Sequence, residues 1–187
     1  LQNKLDSEFP RPPILNLTTS DPESFASNIT FDYGGTMDIG DSGVIITSTP
    51  DAPSTRILFG QSHWSDYTIE AVVKRLSGNS LAIIGYLENP KTYISFGISG
   101  NGLFLRQSID GQEKSLRSPA YTEVPTGSRM ILKLVFKQGR VTAYQNNIPV
   151  FFQAKTGISQ GRIGFRVSDD IKNSQGWLKT LQVYPSK

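Results

Sequence analysis

From Tyr67 to Lys74 the chain alternates without interruption, with Tyr67, Ile69, Ala71 and Val73 on one side of an extended segment and Thr68, Glu70, Val72 and Lys74 on the other. A period of two predicts a strand with one dry face. The stretch WSDYTIEAVVK is the longest clean alternation in the sequence, and Ser65-Asp66 supply the turn before it. A strand of roughly ten residues belongs in the middle of a large sheet rather than at its edge. Later segments repeat the design. In RMILKLVF, Met130, Leu132, Leu134 and Phe136 share a face; in GRIGFRV, Ile163, Phe165 and Val167 do; in YISFGI, Ile94, Phe96 and Ile98 do. Tyr93, Ser95 and Gly97 face the other way from that last set, small or polar residues of the kind a sheet needs where it bends around a groove.

The same pattern predicts strands near residues 29–32, 36–39, 43–48, 56–59, 67–76, 81–87, 92–98, 102–108, 112–118, 129–137, 140–145, 148–153, 162–167 and 177–184. Between them stand Tyr33-Gly34-Gly35, Ser77-Gly78-Asn79, Gly100-Asn101-Gly102, Asp110-Gly111, Gln138-Gly139 and Asn146-Asn147, several short enough to close hairpins. No helical stripe of a dozen residues interrupts them. So many short strands imply an all-β domain of two packed antiparallel sheets, a β-sandwich, over residues 25–187. Residues 1–24, with FPRPPIL and LTTSDPE, are expected to form an extended N-terminal arm or linker lying against it.

Composition narrows the picture by exclusion. A chain of 187 residues suits one large all-β core. The net charge of +3 is spread without a basic block, so no nucleic-acid partner is expected. The chain has no cysteine, which removes disulfides, thiol nucleophiles and cysteine-bound zinc. No apolar run is long enough to span a bilayer, and the first residue is not Met, so a piece of a longer protein is expected. Asn16-Leu17-Thr18 and Asn28-Ile29-Thr30 match the glycosylation acceptor pattern, which arises often by chance.

Familiar catalytic motifs are missing. His63 is the one histidine, and no Gly-x-Ser-x-Gly elbow accompanies it, so a turn histidine is expected rather than part of a triad. The glycine-rich GISGNG lies in a hairpin with no helix behind it to receive a phosphate.

The pieces WSDYTIEAVVK, YISFGISGNGLFL, GSRMILKLVFKQGRVTAYQNNIPV, GRIGFRV and WLKTLQVY together resemble the concanavalin A-like jelly-roll superfamily. The likeness falls in its laminin-G-like branch, with the levan-binding type of carbohydrate-binding module and the bacterial keto-glycoside hydrolase domains. It covers about residues 25–184 and implies the fold more than a function, since such domains bind sugars, bind proteins or hydrolyse glycosides. Many relatives carry an acidic residue near a structural calcium in the last strand, where this chain has Trp177-Leu178-Lys179-Thr180. Asp169-Asp170 nearby could meet a cation with backbone carbonyls, but calcium wants several oxygen ligands, so no cofactor is expected.

Glucanases of this superfold set their carboxylates in a Glu-x-Asp-x-x-Glu strand, and this chain has none. What remains is a set of aromatic and charged residues opposite the dry faces: Glu70, Tyr86, Tyr93, Arg106, Tyr144 and Arg166, with Trp177 at a loop-lined edge. Aromatic rings stack on sugars, and Arg and Glu bond their hydroxyls or carboxylates. The expectation is a non-catalytic glycan-binding or accessory domain, with a polysaccharide or oligosaccharide and the other domains of an extracytoplasmic parent protein as partners. The alternatives are a hydrolase or lyase using an unfamiliar arrangement among Glu70, Glu88, Asp110, Glu113 and Glu123, and a protein-binding module.

Overall fold

The computed structural model describes residues 12–100, 102–168 and 173–186. Sheet A is built from β1 (Leu15–Leu17), β3 (Thr36–Gly40), β4 (Gly43–Thr47), β6 (Tyr67–Ser77), β12 (Arg129–Lys137), β13 (Arg140–Gln145), β14 (Ile148–Lys155) and β16 (Gln175–Pro185). Sheet B is built from β2 (Thr30–Tyr33), β5 (Ser54–Phe59), β7 (Ser80–Asn89), β8 (Thr92–Ser99), β9 (Gly102–Ile109), β10 (Gln112–Ser115), β11 (Ala120–Tyr121) and β15 (Arg162–Ser168). All pairings are antiparallel, in the orders β14-β13-β12-β6-β16-β4-β3 and β10-β9-β8-β7-β15-β5-β2, with β1 added to β16 and β11 to β9. The two sheets pack face to face as the predicted sandwich.

The long alternating strand takes the central place expected of it. β6 lies between β12 and β16, and Tyr67, Ile69, Ala71 and Val73 are buried in the core. The hairpin β12–β13 closes on Gln138-Gly139 and β13–β14 on Asn146-Asn147, each with two consecutive positive φ angles, the backbone that two-residue hairpins require.

Three elements go beyond the pattern. Residues Pro22–Asn28 form a short helix, α1, whose N-cap Asp21 accepts a hydrogen bond from the Ser24 amide and whose first position is Pro22. At seven residues it is too short to show a stripe. The strands β1 and β11 were likewise too brief to stand out. β1 fastens the described part of the N-terminal segment onto β16, with Leu17 buried, while residues 1–11 fall outside the described residues.

The two sheets differ in how they bury their strands. β12 alternates buried and partly exposed positions, as a sheet with one wet face should. In β8 nearly every residue is buried on both faces, and β5 and β7 are similar. The outer side of sheet B is therefore shielded by its own longer side chains.

Tyr86 shows how local backbone redirects a side chain. Ala82 and Ile84 precede it on the outer face, and strict alternation would put Tyr86 there as well. Instead its φ is +49° within a break of register between Gly85 and Asn89, and its ring turns inward against Tyr67 and Phe136, with centroids 5.4 and 4.1 Å away. The Tyr67 hydroxyl accepts from the Tyr86 amide at 2.7 Å and donates to Gly161 O at 3.2 Å. Burial is the main reason that both phenols lose protons late, the Tyr86 hydroxyl being pushed up to about 12 and that of Tyr67 further. In the unfolded chain a tyrosine ionises near pH ~10. Below that pH both states hold these protons and no stability depends on them. Above it the unfolded chain releases protons that the folded chain keeps, so stability should fall as pH rises from about 10 to about 12. Unfolding midpoints measured across this range should drop, and Tyr86→Phe should flatten the drop; an unchanged slope in the variant would refute the assignment.

Candidate functional site

The outer face of sheet B carries a cleft whose floor follows from strand register. One row across the sheet is Gly102, Ser99, Ser80, Ser168 and Ser54; the next is Phe104, Gly97, Ala82, Arg166 and Arg56. Small side chains through both rows leave space, and Phe104 at one end of the second row and Arg166 and Arg56 at the other wall it. The result is a cleft of about 350 Å³, with a recess of about 300 Å³ on the far side of Arg166 between Arg56, Pro90, Lys91 and Tyr93.

Charged and aromatic groups converge on its rim. Arg166 Nη1 donates to Tyr93 Oη at 2.9 Å, and Tyr93 Oη donates to Glu113 Oε1 at 3.1 Å. Glu113 also draws Arg106, at 3.6 Å, and Arg166, at 3.9 Å. Behind them Arg56 is paired with Asp32 and donates to Pro90 O, while Arg56 and Arg166 both lie over the Tyr93 ring within 6 Å. Arg106 rests on Phe104, its guanidinium carbon 4.6 Å from the ring centre. Arg166 Nε, beside the cleft, is buried with no hydrogen-bond partner among the described residues. Such atoms are uncommon in native interiors and mark places where a bound molecule or water is expected.

Of the residues expected from sequence, the structure brings Tyr93, Arg106 and Arg166 together here. It places Glu70, Tyr144 and Trp177 on sheet A, on the opposite outer surface. There Glu70 is paired with Lys133 at 2.6 Å, Lys133 also reaches Asn147 Oδ1 and lies 6.0 Å from the centre of the Tyr144 ring, and Trp177 Nε1 donates to Ser42 O beneath Lys74. Burial and then the Glu70 carboxylate raise the neighbouring Tyr184 phenol. The Glu70–Lys133 pair and the Lys74–Trp177 contact tie the strands of this surface together. Tyr86, fully buried, is a correction: the register break described above takes it off the surface and into the core. His63 is an exposed turn residue, and Asp169-Asp170 fall outside the described residues. Among the described residues no group of three or more His, Asp or Glu side chains could hold a metal ion.

Several members of the cleft were not singled out by pattern. Arg56 sits in a segment with no distinctive motif, Glu113 stands in the sequence reading only among the carboxylates of the alternative enzymatic function, and the floor serines acquire meaning only once register aligns them. Tyr121 is the clearest omission. It pairs with Gly102, at the end of the serine row, and is 82% exposed. A tyrosine ring that open, on the outer face of the same sheet, is an available stacking platform.

These features define a concanavalin A-like jelly-roll sandwich with a polar cleft on one sheet. No family model and no curated protein matches the chain. Among solved structures it is similar to the carbohydrate-binding module CBM66 from Bacillus subtilis, at 17% identity and a TM-score of 0.71 over 84% of this chain and 95% of that one. It is also similar to a protein of unknown function with a galectin-like fold from Bacillus subtilis, at 11% identity and a TM-score of 0.73 over 95% and 97%. A laminarinase from Flavobacterium sp. UMI-01 matches at 13% identity and a TM-score of 0.66 over 92% and 99%. At these identities the likeness is one of fold.

Proposed function

We propose that the chain is a non-catalytic carbohydrate-binding or accessory domain of a larger extracytoplasmic protein, and that it holds a saccharide in the cleft of sheet B. The observation that carries this is the convergence of Arg166, Tyr93, Arg106 and Glu113 over a floor of serines. Hydroxyl-rich ligands suit such a surface, because each ring oxygen finds a donor or acceptor and each serine leaves room for it. The carbohydrate-binding module and the laminarinase among the similar structures support the ligand class. Glycoside cleavage by the usual route needs two carboxyls flanking one bond. Glu113 is the one carboxylate among the described residues that line the cleft, and Glu70 lies on the other sheet. Among the described residues no helix is long and apolar enough to cross a membrane.

Affinity electrophoresis against a range of polysaccharides, followed by calorimetry on the best ligand, tests the reading. Arg166→Ala should weaken binding at least about tenfold, the loss expected when a charged hydrogen-bonding group leaves a largely buried site. Glu70→Gln, on the opposite surface, should leave affinity unchanged. Equal losses in the two variants, or a wild-type protein that retains no glycan, would overturn it.

A further inference from the structure

The cleft already holds a carboxylate, and it is the protein's own. Glu113 stands on β10, the four-residue edge strand of sheet B, with all of its neighbours on that strand exposed. Its two oxygens are divided between Tyr93 and Arg166 on one side and Arg106 on the other. The charges around it do not balance. Arg56 is matched by Asp32, but Arg106, Arg166 and Lys91 face the cleft and its recess with Glu113 as the one acid among the described lining residues. Moreover, Arg166 keeps Nε buried without a partner even while Nη1 is engaged, so its guanidinium has donor capacity that Glu113 does not use.

We propose that the cleft is selective for saccharides bearing a carboxylate, that is, uronic acid units, and that Glu113 occupies the carboxylate position until ligand arrives. The inference rests on the saccharide-binding reading above and adds the ligand class. A uronate carboxylate meeting Arg166, Arg106 and Tyr93 takes up the donors now held by Glu113, while the ring hydroxyls reach the serine floor. Planar guanidinium groups suit a planar carboxylate, and the excess of positive charge favours an anionic over a neutral sugar. Glu113 is itself partly exposed, and the contacts it gives up, to Arg106, Arg166 and the Tyr93 hydroxyl, are those the ligand carboxylate takes over, so the exchange costs little net.

The probes are tetrasaccharides of galacturonate and of mannuronate, each beside its methyl ester, with neutral cello- and laminari-tetraose and a sulfated galactan oligosaccharide. The acids should bind at least about tenfold more tightly than their esters, since esterification removes the charge-assisted hydrogen bonds and little else. Glu113→Gln should raise affinity for the acids by about three- to tenfold, by freeing the arginines and removing like-charge repulsion. Esters that bind as well as acids, a Glu113→Gln variant that binds the acids more weakly, or a preference for the sulfated probe would each overturn the carboxylate assignment. If neutral sugars bind through Arg166 and no uronate does, the saccharide cleft stands and its selectivity for uronates falls. If no saccharide binds the wild-type protein, both fall.

Discussion

Arg75→Ala is expected to lower the unfolding midpoint by about 10 °C. Arg75 is buried and charged, and its guanidinium joins three separate pieces of chain: Nη1 donates to Asn79 O and Gly100 O at 3.0 Å each, and Nη2 donates to Val124 O at 3.0 Å. Those carbonyls belong to the β6–β7 turn, the β8–β9 turn and the segment leading into β12. Truncation leaves all three without the donor and opens a cavity where the side chain lay. Hydrogen bonds from a charged donor contribute about 1.5–3 kcal/mol each, and partial access of water to the turns recovers some of the loss. A net cost of about 3–5 kcal/mol follows, and for a chain of this size each kcal/mol moves the midpoint by about 2–4 °C. Arg75→Lys should recover little, because one ammonium on a flexible stem cannot reproduce a planar fork that serves three acceptors. A midpoint within a degree or two of wild type in either variant would show that the three contacts are dispensable.

Gly97→Ala should cost about 3 kcal/mol or more, and its damage should reach the cleft. Gly97 sits in the second row of the floor, where β8 approaches β7 closely. A methyl group there would overlap Leu81 O and stand 2.6 Å from Ala82 Cα, both of them backbone of the neighbouring strand. No side chain can swing aside to relieve such a clash, so the strands themselves must part, and overpacking of this kind is among the mechanisms behind the largest single-residue effects. Denaturant unfolding measures the cost. Calorimetry on the folded fraction at low temperature should show saccharide affinity reduced as well, since Ala82, Ser80 and Tyr93 are carried by the strands that shift. A variant with wild-type stability would mean that the sheet accommodates a side chain at this point.

The strands and their turns were legible because alternation and paired turn residues are local signals. β12 and β13 begin and end where the pattern put them, and the faces assigned in β6, β8 and β15 are those observed. What alternation cannot convey is which of two sheets a strand joins. Glu70 and Tyr144 share the polar side of their strands just as Tyr93, Arg106 and Arg166 do, yet β6 and β13 belong to one sheet and β8, β9 and β15 to the other. A face-by-face reading therefore merges two surfaces separated by the whole core. Tyr86 failed for a different reason: its positive φ sits at a non-glycine residue, where sequence gives no warning. Tyr121 comes from a segment of two residues, too short for any periodicity, and Glu113, on a strand expected over 112–118 and observed over Gln112–Ser115, stands in the sequence only as an alternative acid; the place of both in the cleft arises from long-range register.

β10 has a second consequence. As the border of sheet B it has one side with no strand paired to it among the described residues, and such a border is a template on which another chain can add a strand. Proteins suppress such growth with charge, and on this strand Glu113 and Lys114 supply it. The carboxylate that waits in the cleft also helps keep copies of the protein apart. Neutralising it to sharpen ligand capture removes one of two guards against self-association, so Glu113→Gln should form oligomers at lower concentration than the parent, and more readily in high salt, where the remaining charge of Lys114 is screened.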